Sequence, residues 1–382
     1  MSRPTTRPTP RSVLVVGGGT AGNGLTVLLR RAGIAVDLVE AEADWNATAG
    51  SGITLQGNAL RVLREIGVWE QVRDLGFPSH ELAILAVDGT VRHVRKDIRT
   101  GGDGLPATVG MRRPQLQRLL IDAVRASGAR VRLGTTVTGL RQDAGGVDVR
   151  FSDGGEGRYD LVVAADGLNS ATRALIGIED RPAPTGMAIW RAPAPRPRHV
   201  RRTEIVYGGP CFIAGYCPTS EHTVYAYLAE RNRDRATLPP SAYAEEMRAL
   251  AAGYGGAWEE IRASITDSAQ VNYTWFDRLL VEGPWHRGRV VLAGDAAHCC
   301  PPTLAQGAAM SLEDIAVLAE LLTTRADWDD RLFADYRDRR LPRVRTVVDA
   351  SVRLGQWLLD GVRDADVPGL IGRTMAVLEE QP

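Results

Sequence analysis

Lysine is almost missing from this chain: of its 46 basic residues, all but Lys96 are arginine. Acidic residues also number 46, so the net charge is zero and no general basic field exists for nucleic acid or an anionic membrane. No apolar run approaches the ~18 residues that a membrane-spanning helix needs. Cysteine is scarce, with Cys211, Cys217, Cys299 and Cys300 the only four. Cys299 and Cys300 are adjacent, and no pair is matched by a second at zinc-like spacing, so neither a disulfide framework nor a metal is expected. The arginine bias fits a GC-rich genome better than a dedicated anion-binding surface. Residues 1–11, rich in Pro, Thr and Arg without an apolar centre, read as a disordered leader rather than a signal peptide. These absences leave a reduced, cytoplasmic, metal-free protein. A composition of 44% hydrophobic and 24% charged residues is that of a globular chain, and 382 residues suffice for two domains.

Glycine is where the information lies. Ser12–Val16 is a short apolar run ending in Gly17-Gly18-Gly19-Thr20-Ala21-Gly22. A helical pattern follows to Arg31, Gly33 stops it, and a second strand runs from Ala35 to Glu40. This βαβ context gives G-x-G-x-x-G its meaning: Gly17 allows the turn, Gly19 lets a pyrophosphate approach backbone, and Gly22 lets helix and strand pack closely. Glu40 stands where a carboxylate accepts hydrogen bonds from ribose hydroxyls. Two further glycine turns follow buried-strand signatures. One is Asp166-Gly167 after Tyr159–Ala165; the other is Gly294-Asp295 after Arg289–Ala293. The second leads through Pro301-Pro302 to Gln306-Gly307 and a long helix.

In this order, the three turns resemble the FAD-dependent group A monooxygenases, the p-hydroxybenzoate and salicylate hydroxylase-like enzymes. The resemblance implies an α/β fold. A Rossmann-like FAD-binding domain of the p-hydroxybenzoate hydroxylase type is expected over 12–177 and 285–325. A mostly antiparallel substrate-binding sheet is inserted at 178–284, and C-terminal helices fill 326–382. It implies FAD, with NADPH or NADH as a visiting co-substrate and O2, and a C4a-hydroperoxyflavin that hydroxylates an aromatic or heteroaromatic small molecule. It assigns Gly17, Gly19, Thr20, Ala21, Gly22, Glu40, Arg113, Val137, Asp166, Gly294, Asp295, Pro302, Gly307, Ala308 and Ala309 to the cofactor. Asp166 and Arg173 would also serve NAD(P)H docking. Ala305 departs from the family, in which many relatives have glycine, and Ala41 stands where an arginine usually follows the ribose glutamate.

Met187–Trp190, Thr203–Tyr207, Phe212–Tyr216 and Thr223–Leu228 are rich in β-formers and punctuated by proline, as an inserted sheet requires. Its aromatic residues are the substrate candidates: Trp190, Tyr207, Phe212, Tyr216 and Tyr227, with Pro302 from the flavin loop. Tyr216, His298 and Arg191 are the candidate catalytic side chains, although the flavin itself does the hard chemistry. Cys211 and Cys217 are further candidates for the pocket wall. Open alternatives are a monooxygenase or epoxidase acting on a larger polyketide or antibiotic scaffold, and a flavin reductase that inserts no oxygen. The expected assembly is a monomer or homodimer without nucleic acid or membrane partners.

Overall fold

A computed structural model describes residues 11–46, 51–234 and 238–382. The expected leader therefore lies, but for Arg11, outside the described residues. The glycine-bounded apolar runs assemble into one sheet. Ser12–Val16 sits between Ala35–Glu40 and Leu161–Ala164, all parallel, with Arg130–Leu133 and Val290–Leu292 outside them and His286–Arg287 antiparallel at one edge. The Val and Leu runs of Ser12–Val16, Leu161–Ala164 and Val290–Leu292 suit central strands covered on both faces. Because the three glycine-bearing strands are adjacent and parallel, Gly17, Gly167 and Gly294 all emerge at their carboxyl ends. That edge is where open α/β sheets bind ligands.

Tyr159–Ala165 does not run as one strand. Glu156–Tyr159 closes a three-stranded antiparallel meander, and Leu161–Ala164 enters the parallel sheet. The break falls at Asp160, whose carboxylate accepts the Ser12 backbone N–H at 2.7 Å.

The second sheet has eight strands. From one edge they are His298–Cys299, Asn272–Leu280, Ala183–Pro195, Thr223–Arg231, Ile213–Pro218, Thr203–Tyr207, Glu81–Leu85 and Val91–Lys96. It thus recruits the hairpin 81–96 from the first segment, through a parallel pairing of Thr203–Val206 with Leu82–Leu85. Helices Tyr243–Ala251 and Ala257–Ser264 pack on one face around Met247, Trp258 and Ile261. The other face lines a cavity. Gly307–Thr324, Asp330–Asp360 and Val367–Glu379 are the closing helices. Among the described residues no helix is long and apolar enough to cross a membrane.

Candidate active site

The glycines of the first turn divide into two kinds. A Cβ on Gly17, whose φ is +103°, would lie 2.3 Å from the Ala165 carbonyl oxygen, and one on Gly22 would lie 1.8 Å from that of Gly17. These two are needed so that the protein can pack on itself. Gly19 and Gly307 have nothing within 4 Å of where a Cβ would stand, yet both line a cavity. They leave room for something else.

Two hollows meet along this edge, sharing Gly19, Thr20 and Arg113. The smaller, about 130 Å³, is lined by Gly18, Glu40, Glu42, Trp45, Leu116 and Gln117. The larger, about 510 Å³, runs past Ala21, Gly167, Asp295, Pro302, Gly307 and Ala308 to the eight-stranded sheet. Glu40 is braced by the backbone, accepting N–H bonds from Gly18 at 2.6 Å and Glu42 at 2.8 Å. The Gly18 carbonyl accepts from Asn23 at 2.7 Å, Gln117 at 2.8 Å and Trp45 at 3.1 Å. Those three donors fix the turn's carbonyl; no local pattern around Asn23, Trp45 or Gln117 announces them.

Helix Gly307–Thr324 begins at the cavity wall. Its first N–H groups, on Gly307, Ala308 and Ala309, have no acceptor within the helix, and its dipole puts partial positive charge there. The preceding loop is tightly held. Thr303 donates to the Ser351 carbonyl at 3.0 Å, and Gln306 is fully buried, accepting from Asn58 at 3.1 Å. Ala305 sits at φ +52°, the only non-glycine residue with positive φ among the described residues. The glycine expected there by resemblance would hold that conformation without strain.

Behind this edge lies a buried ionic network. Asp314 accepts from the Gly294 N–H at 2.9 Å and Arg340 at 2.8 Å, and pairs with His298 Nε2 at 2.6 Å. Glu313 pairs with Arg340 at 2.9 Å and Arg343 at 2.7 Å. Burial pushes both carboxyls upward, but the facing groups, His298 and Arg340 for Asp314 and Arg340 and Arg343 for Glu313, bring them below their ordinary values. Asp295 is different: burial dominates and raises it, against the pull of His298 and Arg113.

Several expected site residues turn away from the cavity. His298 is buried against Trp285 and pairs with Asp314, which accepts the Gly294 N–H, and it does not line the cavity. Asp166 caps a short helix, accepting from Ser170 at 2.5 Å and the Thr172 N–H at 3.0 Å. Arg173 is 1% exposed and donates to the Leu168, Asp180 and Ala296 carbonyls, which joins the second and third glycine turns and keeps its side chain off the surface. Val137 is core, and Ala309 contributes only its backbone.

The sheet sorts its residues by period two. Ile189 and Arg191 point into the cavity, whereas Trp190 between them is fully buried and donates to Glu230 at 3.0 Å. Tyr225, Tyr227 and Ala229 face the cavity; Ala226 and Leu228 face the helices. Tyr216 is on the helix side, its hydroxyl donating to Glu204 at 2.6 Å and its ring edge against Trp258. Phe212 packs against a small cluster whose Ile189, Ile213, Tyr227, Ala229 and Phe276 line the cavity, but does not itself line it, and Cys211 and Cys217 are buried. Of the expected set, Arg191, Tyr207, Tyr227 and Pro302 reach the cavity. It adds Tyr225, Ile205, Ile213, Phe276, Cys299, Cys300 and, from the last helix, Ile371 and Met375. Burial raises both thiols, Cys300 to about 12, so they act as apolar wall.

The trench fits a dinucleotide with a planar ring at one end, and comparison with known proteins names the class. The FAD binding domain family matches residues 11–351. The chain belongs to that family. It is an FAD-dependent monooxygenase. It is 30% identical over 372 residues to the putative FAD-dependent monooxygenase YetM of Bacillus subtilis, covering 97% of this chain and 99% of the relative. It is 32% identical to the 3-amino-4-hydroxybenzoate 2-monooxygenase PtnB3 of Streptomyces platensis, covering 93% and 92%. In fold it matches Klebsiella pneumoniae HpxO, whose crystal structure holds FAD and uric acid, with a TM-score of 0.84, 22% identity and 97% of each chain covered.

Proposed function

We propose that this monooxygenase hydroxylates a planar aromatic or heteroaromatic small molecule in the cytoplasm, with NAD(P)H visiting as reductant. The observation that supports this reading is the larger cavity. Glycine turns and a helix N-terminus form one end, and Tyr207, Tyr225, Tyr227 and Phe276 stand at the other among Ile189, Ile205 and Ile213. When bound, FAD supplies hydride acceptance and the activation of dioxygen. Gly19 and Gly307 would give the cofactor space, Arg113 and the first-turn N–H groups of helix Gly307–Thr324 would stabilise its negative charge, and Glu40 would accept from its ribose hydroxyls. The tyrosine faces stack a flat substrate, and the isoleucine wall keeps water from the reacting atoms.

The test is product analysis after turnover with NADPH or NADH under isotopically labelled dioxygen, across a panel of phenols and heteroaromatic acids. The reading expects one labelled oxygen atom in the product and stimulation of NAD(P)H consumption. Product formed equally well without oxygen would replace it with the reductase alternative.

A further inference from the structure

Three sulfur-bearing side chains line the larger cavity: Cys299, Cys300 and Met375. The chain has six methionines, and all but Met1 lie in the described residues. Met111, Met187, Met247 and Met310 are at most 1% exposed and do not line the cavity, whereas Met375 is 7% exposed and does. Ile371, four residues earlier, lines it too, so helix Val367–Glu379 turns one face to this space. The sulfur is held in place. Gln306 Nε2 donates to Met375 Sδ at 3.8 Å, and Gln306 directly precedes Gly307, where the long helix offers its free N–H groups. The helix that carries Met375 is fixed from behind, since Arg343, paired with Glu313, donates to the Val377, Leu378 and Glu380 carbonyls. Asn58 donates to both Gln306 and Glu313, each at 3.1 Å. A closed ring of contacts thus ties the Met375 sulfur to the loop at the cofactor end.

Hydrogen peroxide is the by-product that this chemistry supplies: it forms whenever two electrons from NAD(P)H reach dioxygen without oxygen transfer. The three sulfurs meet it differently. A thiol reacts with peroxide as its thiolate, and burial pushes both cavity thiols upward, Cys300 to about 12, so neither is ionised at neutral pH. A thioether has no proton to lose and stays nucleophilic. Its sulfur takes one peroxide oxygen and the other leaves as water; the sulfur is oxidised, the peroxide reduced, and no proton is left over. The product is a polar, chiral sulfoxide in place of a flexible apolar group. We propose that Met375 is a self-oxidation site, which captures peroxide formed in the cavity and, as the sulfoxide, loosens the Gln306 loop and weakens the hold on FAD. This rests on the reading of the cavity as the place of reaction.

The FAD-loaded protein is reduced anaerobically with a stoichiometric amount of dithionite and reoxidised with isotopically labelled dioxygen, over repeated cycles, in the presence of catalase. With no aromatic compound present the oxygen is returned as peroxide, and catalase removes whatever escapes to the bulk. Peptide mass spectrometry is expected to find about tenfold more labelled oxygen on Met375 than on Met111, Met187, Met247 or Met310, which an oxidant reaches only through local opening. The Kd for FAD should rise by about tenfold in the labelled protein, and methionine sulfoxide reductase should reverse the rise. Met375→Leu, a nearly volume-conserving change, should keep through the same cycles the Kd with which it began. The proposal is overturned if catalase abolishes the label, if the cysteines or another methionine take it in place of Met375, or if a labelled Met375 leaves the Kd unchanged. Should Met375→Leu fail to fold, the reductase decides: no recovery of FAD affinity in the treated wild type overturns the proposal. None of these readouts needs a hydroxylated product, so a labelled product in the preceding test would stand even where this inference fails.

Discussion

The two ends of the cavity are built by different means. At the cofactor end the working parts are backbone: glycine turns, free N–H groups at a helix start, and a carbonyl fixed by three side chains. At the substrate end they are side chains projecting from a pleated sheet, where neighbours in sequence face opposite ways. Backbone devices tie residue type to position tightly, because a single added carbon collides. Side-chain devices do not, because a tyrosine serves equally well as core or as wall.

The sharpest way to probe the first end is to add that carbon. Gly22→Val puts a branched side chain where a Cβ alone would sit 1.8 Å from the Gly17 oxygen. The expected loss exceeds about 4 kcal/mol, seen as a colourless, poorly folded product in urea titration and absorbance. Gly19→Ala is the matched control. With nothing near its Cβ, the apoprotein should melt as the wild type does while FAD affinity falls. Equal damage from both changes would erase the distinction between packing glycines and space-leaving ones.

Next in size is the network behind the cofactor end. Arg340→Met leaves Glu313 and Asp314 buried beside fewer cations, and a broken buried pair costs about 3–5 kcal/mol. The sign of the pH dependence follows from the same charges. Both carboxyls are held low in the fold. Their stabilisation is therefore full above the unfolded carboxylate range, about pH 4, and disappears as pH falls through the lower folded values. Acid denaturation followed by circular dichroism should show the wild type losing stability there and Arg340→Met losing less over the same interval.

What could be read beforehand follows the same division. The order of the three turns and the first βαβ unit were legible because glycine and βαβ spacing have few alternative uses. The face of each sheet residue was not. Trp190 and Arg191 are adjacent letters, and only the register with Thr223–Arg231 shows that the arginine, not the tryptophan, enters the cavity. Tyr216 and Tyr227 look equivalent in an alternating pattern, yet one meets Trp258 and the other the cavity. Helix Ala257–Ser264 and strand Asn272–Leu280 escaped notice, and with them the reason one face is core. The contributions of Ile371 and Met375 come from chain remote in sequence and carry no local signal at all.

A pair of tyrosine variants tests that sorting at intermediate size. Tyr216→Phe removes the donor to buried Glu204 and should lower stability by about 1–3 kcal/mol, with kcat/KM close to wild type. Tyr227→Leu should reverse the pattern, lowering kcat/KM by about tenfold through lost ring contact with little change in Tm. If Tyr216→Phe proves the catalytic lesion, the two faces have been assigned the wrong way round.

The smallest expected effect lies at the seam between the two ends, in Ala305. Its left-handed backbone, φ +52°, costs a non-glycine residue roughly 1–2 kcal/mol. Glycine would remove that cost but enlarge the unfolded ensemble, a penalty of about 0.5–1 kcal/mol. Ala305→Gly should therefore raise stability by no more than about 1.5 kcal/mol, the largest difference between those two quantities. The methyl group also stands in the cavity wall, so its removal loosens the contact between the Pro302–Gln306 loop and whatever occupies the space. A small gain in Tm accompanied by more NAD(P)H consumed per product molecule would mean that the strain is retained for the fit it gives. A gain in Tm with coupling unchanged would make Ala305 a tolerated imperfection, and the backbone end of the cavity would then be less exacting than its glycines suggest.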